Sequence, residues 1–168
     1  MSKIYVDEIL PKDNATVDGS KLSALPTSGM PTGSVLQVVE GTTSTDASTT
    51  SSTFNATNLS ATITPSSSLN KILVQVNGHF YTAANNQCAF DVYRGSTSIT
   101  GKTNGFYHHW IESTRGRFPI TTCLLDSPAS TSALTYTLYF RDIGGNSVSF
   151  PNQPTDVKTT ITLMEIAG

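Results

Sequence analysis

A chain of 168 residues with a formal net charge of −2 supports one domain of ordinary size, with room for an extended appendage. Charged residues make up 13% of it, about half the roughly 25% usual in soluble domains, and its cations are scattered singly, so there is no basic face for nucleic acid. No run approaches the roughly 18 apolar residues of a membrane span, and Ser and Thr together exceed a quarter of the chain, which favours turns and pleated strands.

The first third differs from the rest. Ser2 to Leu10 reads as a short strand-like segment whose apolar contacts are Ile4, Val6, Ile9 and Leu10. Asp7 and Glu8 interrupt any apolar core of a signal peptide, so synthesis in a cytoplasm is expected. Pro11 to Asn14 is a turn signal. Ala15 to Gly33 holds Pro26, Pro31, Gly19, Gly29 and Gly33 around isolated Val17, Leu22, Leu25 and Met30. Such a stretch cannot bury a core of its own. Residues 1–33 are therefore expected to form an extended N-terminal arm that docks on something else, and residues 34–168 a separate head.

The head reads as β throughout. Expected strands are Ser34 to Glu40, Asn58 to Thr64, Lys71 to Thr82, Gln87 to Arg94, Phe106 to Ser113, Phe118 to Leu125, Ala133 to Asp142, Ser147 to Phe150 and Lys158 to Ile166. Period-2 alternation carries several of them: Val74, Val76, Gly78 and Phe80 on one face, Cys88, Phe90 and Val92 on another, and Leu134, Tyr136, Leu138 and Phe140 on a third. Gly41 to Ser52 reads as a Ser/Thr-rich loop, Gly95 to Gly101 as a hairpin and Pro128 to Ser132 as a turn. Eight to ten short strands with turn signals between them and no helical period predict an all-β fold. The expected architecture is an antiparallel β-sandwich, jelly-roll-like, with the strand order left open.

No catalytic constellation emerges. The carboxylates show no close pair of the kind glycosidase chemistry needs, and no repeat announces a β-helix. Cys88 and Cys123 match no nucleophile motif, and each sits in an apolar stretch, so both read as small buried hydrophobes. His108 and His109 are adjacent and point to opposite faces of a strand, so at most one of them could join His79; no metal site and no cofactor are expected. Arg115 and Arg117, the densest basic pair, are expected in a turn between strands.

Some segments resemble a known family. Ser2-Lys3-Ile4-Tyr5-Val6-Asp7-Glu8-Ile9, Gly33-Ser34-Val35-Leu36-Gln37-Val38, Asn58 to Pro65, Ser68 to Val74 and Ile161 to Ile166 are similar to short tail-fibre and head-fibre virion structural proteins of tailed phages that infect cyanobacteria and other aquatic bacteria. The resemblance covers both ends and the first half of the head; Asn85 to Pro154 carries none of it. It implies a homotrimer within the virion. It also implies an N-terminal arm attached to other virion proteins of tail or capsid and a C-terminal head facing outward. Sister chains would then bury Ile4, Val6, Ile9 and Leu10.

The most informative local feature is Phe106-Tyr107-His108-His109-Trp110, five ring-bearing residues in a chain that is 8% aromatic. Two readings stand. One is a strand packed on both faces, against its own sheet and a neighbouring subunit. The other is an exposed patch in which Tyr107, His108, His109 and Trp110, with Tyr81 nearby, stack on the sugar rings of a host surface glycan; Asn85, Asn86 and Asn104 would add polar contacts. The expected function is non-enzymatic adhesion by a trimeric tail fibre. A capsid decoration or cement protein, a head fibre and a stand-alone carbohydrate-binding module are the alternatives.

Overall fold

A computed structural model of the chain describes residues 30–152 and 158–168. The expected contacts at Ile4, Val6, Ile9 and Leu10 lie outside the described residues. Pro31–Gly168 forms one unit, all-β, with no helix among the described residues.

The strands are β1 (Val35–Thr42), β2 (Ala47–Thr49), β3 (Asn55–Ile63), β4 (Lys71–Thr82), β5 (Asn86–Arg94), β6 (Thr97–Ser98), β7 (Tyr107–Ile111), β8 (Gly116–Asp126), β9 (Leu134–Asp142), β10 (Val148–Phe150) and β11 (Thr160–Ile166). Their ladders are antiparallel and form two sheets. In the first, β1 pairs β11, and β11 pairs β4. Because β8 runs along one whole edge of β4, from Ile72↔Asp126 to Thr82↔Gly116, β11 and β10 must share the other edge. β2 lies beyond β10. In the second sheet β3 pairs β9 and β9 pairs β5, while β7 and β6 follow one another along the far edge of β5.

Successive stretches of chain alternate between the sheets, except that β5 and the following β6 and β7 share the second sheet. Counting β1 with β2, β6 with β7, and β10 with β11 as single interrupted strands gives eight. Their order is 1-8-3-6 in one sheet and 2-7-4-5 in the other. That is the two-Greek-key order of a jelly roll.

The inward residues alternate as the sequence requires. Leu59, Ile63, Ile72, Val74, Val76, Phe80, Cys88, Phe90, Val92, Tyr136, Leu138, Phe140, Ile161 and Leu163 are all buried in the space between the sheets. Where β1 crosses β3 the backbones nearly touch. A methyl group on Gly41 would sit 2.0 Å from the Ser60 carbonyl oxygen, so only glycine fits there.

Polar ties close the sandwich. Glu165 occupies an inward position at the end of β11 and is fully buried. It accepts hydrogen bonds from Asn70 Nδ2 (2.6 Å), Gln37 Nε2 (2.6 Å), the Ser66 backbone N–H (2.6 Å) and the Ser66 hydroxyl (2.8 Å). Burial pushes its carboxyl up, but the donors of Asn70, Gln37 and Ser66 outweigh that and hold it below its ordinary value. A second tie joins the sheets through Asp126, which accepts from the Tyr136 hydroxyl at 2.7 Å and pairs with Arg94.

Three expectations are corrected. Gly41 to Ser52 is not one loop: β1 runs to Thr42, and Ala47–Thr49 forms β2. Backbone pairing with β10 makes that strand, in which Ala47 alone packs against the core. Cys123 is exposed, because it lies on the outward parity of β8 opposite Gln75. Cys88 alone behaves as a buried hydrophobe, its thiol pushed up to about 12 by burial and by the nearby Asp142 charge. Arg117 lies on β8 rather than in a turn, pairs with Tyr81 in the ladder and donates to Asn152 at 2.5 Å.

Candidate functional site

β7 is an edge strand whose side chains are sorted by its register with β5. Asn86 pairs with Ile111, Gln87 with Trp110, Cys88 with His109, Ala89 with His108 and Phe90 with Tyr107. This register turns Tyr107, His109 and Ile111 inward, and His108 and Trp110 outward.

The inward residues join an aromatic cluster around Phe80. The Phe80 ring lies 4.9 Å from Phe90, 5.5 Å from His109, 5.6 Å from Phe118 and 5.7 Å from Tyr107, centroid to centroid. The His109 ring lies tilted 4.3 Å from Phe118, and its Nδ1 meets the Tyr107 hydroxyl at 3.3 Å. Burial, reinforced by the neighbouring His108, lowers the His109 pKa and so favours the neutral ring. Tyr107 and His109 thus support β7 from below.

Trp110, the one tryptophan of the chain, stands on the other face and is 62% exposed. It borders an open cavity of about 440 Å³ lined by Asn85, Asn86, Gln87, Trp110, Glu112 and Gly144. Three segments converge there: the β4–β5 turn, the end of β7 and the β9–β10 loop. Asn85 takes a left-handed φ of 52° in the turn, a conformation that asparagine tolerates better than most residues. Its carbonyl and that of Ala84 accept from Asn146 Nδ2 at 3.1 and 3.3 Å, which ties the turn to the loop. The Ile143 and Gly144 N–H groups both donate to the Gln87 carbonyl.

Asn86 forms the floor of the cavity. It is 2% exposed, and its Nδ2 donates to Thr82 Oγ1 at 2.8 Å and to the Ser147 carbonyl at 3.0 Å. A carbonyl can only accept, so the amide orientation is fixed. Asn86 Oδ1 is left buried without a partner. Gly144 closes over it: a Cβ there would lie 2.3 Å from that oxygen and 2.8 Å from the Gln87 nitrogen. Just before the β9–β10 loop, the last residue of β9 is Asp142, 1% exposed, whose Oδ2 accepts from the Gly145 N–H at 2.8 Å while its Oδ1 has no partner.

The sequence-based candidates therefore separate. Trp110, Asn85 and Asn86 meet at the cavity. His108 shares the outer face of β7 with Trp110. Tyr107 and His109 face the core. Tyr81 lies on the outward parity of β4, in the other sheet. Asn104 is held by Arg141, whose Nη2 donates to its Oδ1 at 2.5 Å. Sequence reasoning missed Gln87, Glu112 and Gly144, which reach the cavity from separate segments. Among the described residues, no group of three or more His, Cys, Asp or Glu side chains is arranged to hold a metal ion.

An exposed indole face beside amide and carboxylate side chains provides stacking and hydrogen bonding with little cost of ordering, since indole and short amides carry few rotors. No family model and no curated protein matches the chain.

Proposed function

We propose that this chain is a non-enzymatic virion protein of a tailed phage, a trimeric tail fibre whose jelly-roll head binds host surface glycan. One observation carries the binding part: Trp110 stands outward at the edge of a cavity otherwise lined by polar side chains and glycine. The indole covers the C–H face of a sugar ring, and Asn85, Gln87 and Glu112 reach its hydroxyls. Each site binds weakly. Three sites per trimer, and several trimers per particle, raise the apparent affinity through effective concentration.

The virion part rests on the family resemblance. Three of the segments that carry it meet at the buried Glu165, which supports a shared architecture. Self-association has support on the outer face of the first sheet. Val38 pairs with Met164, Met164 with Leu73 and Leu73 with Leu125, an apolar row across four strands. Val38 is 58% and Leu125 57% exposed, which water tolerates poorly when such residues are contiguous.

Two measurements test this reading. Trp110→Ala should lower head affinity for host cells or their isolated glycans about 30-fold, the loss of a roughly 2 kcal/mol aromatic anchor, with mass and unfolding midpoint unchanged. Undiminished binding by that variant would remove the site. Val38→Glu combined with Leu125→Glu should convert the trimer to monomer by light scattering while keeping the β-sheet circular dichroism. A trimer that survives both charges rules the apolar row out as its interface.

A further inference from the structure

We propose that the Trp110 cavity, taken as the glycan site of the preceding section, selects neutral saccharides and rejects acidic ones. The inference rests on that reading and adds the chemical class of the ligand.

The charge and polarity of the cavity point one way. Among the described residues, its lining holds one carboxylate, Glu112, and neither lysine, arginine nor histidine. The floor amide is locked by its two acceptors, Thr82 Oγ1 and the Ser147 carbonyl, so its negative end, Asn86 Oδ1, is the end turned toward Gly144. That oxygen has no donor to neutralise it and lies buried against Gly144, itself a lining residue. A second negative group sits at the base of the same loop. Asp142 is 1% exposed, and one of its carboxylate oxygens is unpartnered. Two arginines lie three residues from lining residues: Arg141 is engaged elsewhere, with Thr103, Asn104 and the Ser52 carbonyl, and Arg115 is exposed and stands outside the lining.

A sugar bearing a carboxylate would therefore bring an anion to a negative cavity that offers no cation in exchange, at a separation where water screens incompletely. A neutral sugar brings hydroxyl donors, which Glu112 and the side-chain carbonyls of Asn85 and Gln87 can accept. Stacking on the indole does not discriminate, since the C–H face of a pyranose is the same whether or not C6 is oxidised. Discrimination thus falls on the polar lining, and on Glu112 first, because it is the lining's one full charge.

Trp110 is itself the reporter, being the only tryptophan. The trimer is titrated with gluco-, galacto- and manno-configured tetrasaccharides and with their uronic-acid counterparts, following indole emission at low salt. At least one neutral series should shift the emission and bind about tenfold or more tighter than its acidic partner. The gap should narrow as salt is added. Glu112→Gln should raise the affinity for the acidic partner and bring the two sugars to within a few-fold, while the neutral sugar, losing a charged acceptor, binds somewhat more weakly. Acidic sugars that bind as well as neutral ones in the unmodified protein overturn the selectivity and leave the glycan site standing. Emission that responds to no sugar of either class overturns both.

Discussion

Glu165→Ala should remove about 3–5 kcal/mol of folding free energy, measured as a lowered midpoint in urea. The loss is large because the carboxylate is fully buried and its partners are too specialised to find others. Without it, Asn70 Nδ2, Gln37 Nε2 and both donors of Ser66 lose their acceptor at once. Those donors come from β1 and from the β3–β4 connection, so one side chain on β11 holds together three segments that are distant in sequence. A domain of this size has about 5–15 kcal/mol in total, so the variant sits near the limit of folding. Glu165→Gln keeps the shape but sets an N–H₂ group against donors, and should fall between the two.

The same carboxylate sets an acid limit. Its folded pKa lies below the ordinary 4.5, so the unfolded chain takes up the proton first as pH falls. The stabilisation is complete above about 4.5 and is lost as pH drops through the lower, folded value. Unfolding midpoints measured from pH 7 down to pH 3 should decline most steeply below 4.5, and Glu165→Gln should flatten that part of the curve. An unchanged slope would assign the acid sensitivity to other carboxylates.

Phe80→Ala should cost about 3–5 kcal/mol in the same assay. Phe80 is fully buried and touches rings from three strands: Phe90 on β5, Tyr107 and His109 on β7, and Phe118 on β8. It is the residue through which β4 supports the edge strand β7 from below. Removing it should therefore also weaken sugar binding, even well below the unfolding temperature, because Trp110 rides on β7. Trp110→Ala gives the opposite signature: binding lost, with stability within about 0.5 kcal/mol of the parent. The pair of variants separates a residue proposed to touch the sugar from one that positions the strand carrying it.

Much of this head could be read from local pattern. Lys71–Thr82 was expected as a strand and is one over the same residues, because its alternating Ile72, Val74, Val76 and Phe80 have a single arrangement that buries them all. β9 and β11 follow the same logic. β2 does not. Ala47–Thr49 has no apolar alternation, and its ladder with β10 comes from a segment about a hundred residues away. β8 carries apolar residues on both parities, so nothing local says that Ile120 turns inward while Cys123 and Leu125 face out.

The site shows the same division. Sequence alone marked Trp110 and the aromatic stretch around it as unusual, and Asn85 and Asn86 as neighbours worth noting. In a strand where almost every side chain is a ring, parity carries no information about which rings are exposed. The register of β7 on β5 decides it, through the pairing of Gln87 with Trp110. Gln87, Glu112 and Gly144 join the cavity only because the jelly-roll order sets the β4–β5 turn, the end of β7 and the β9–β10 loop side by side. Composition and alternation determined that this chain would build a β-sandwich with a buried face on each strand, since a period of two leaves apolar residues no other place to go. Strand order, the outward face of Trp110 and the cavity beside it were decided by long-range pairing, which no window of sequence contains.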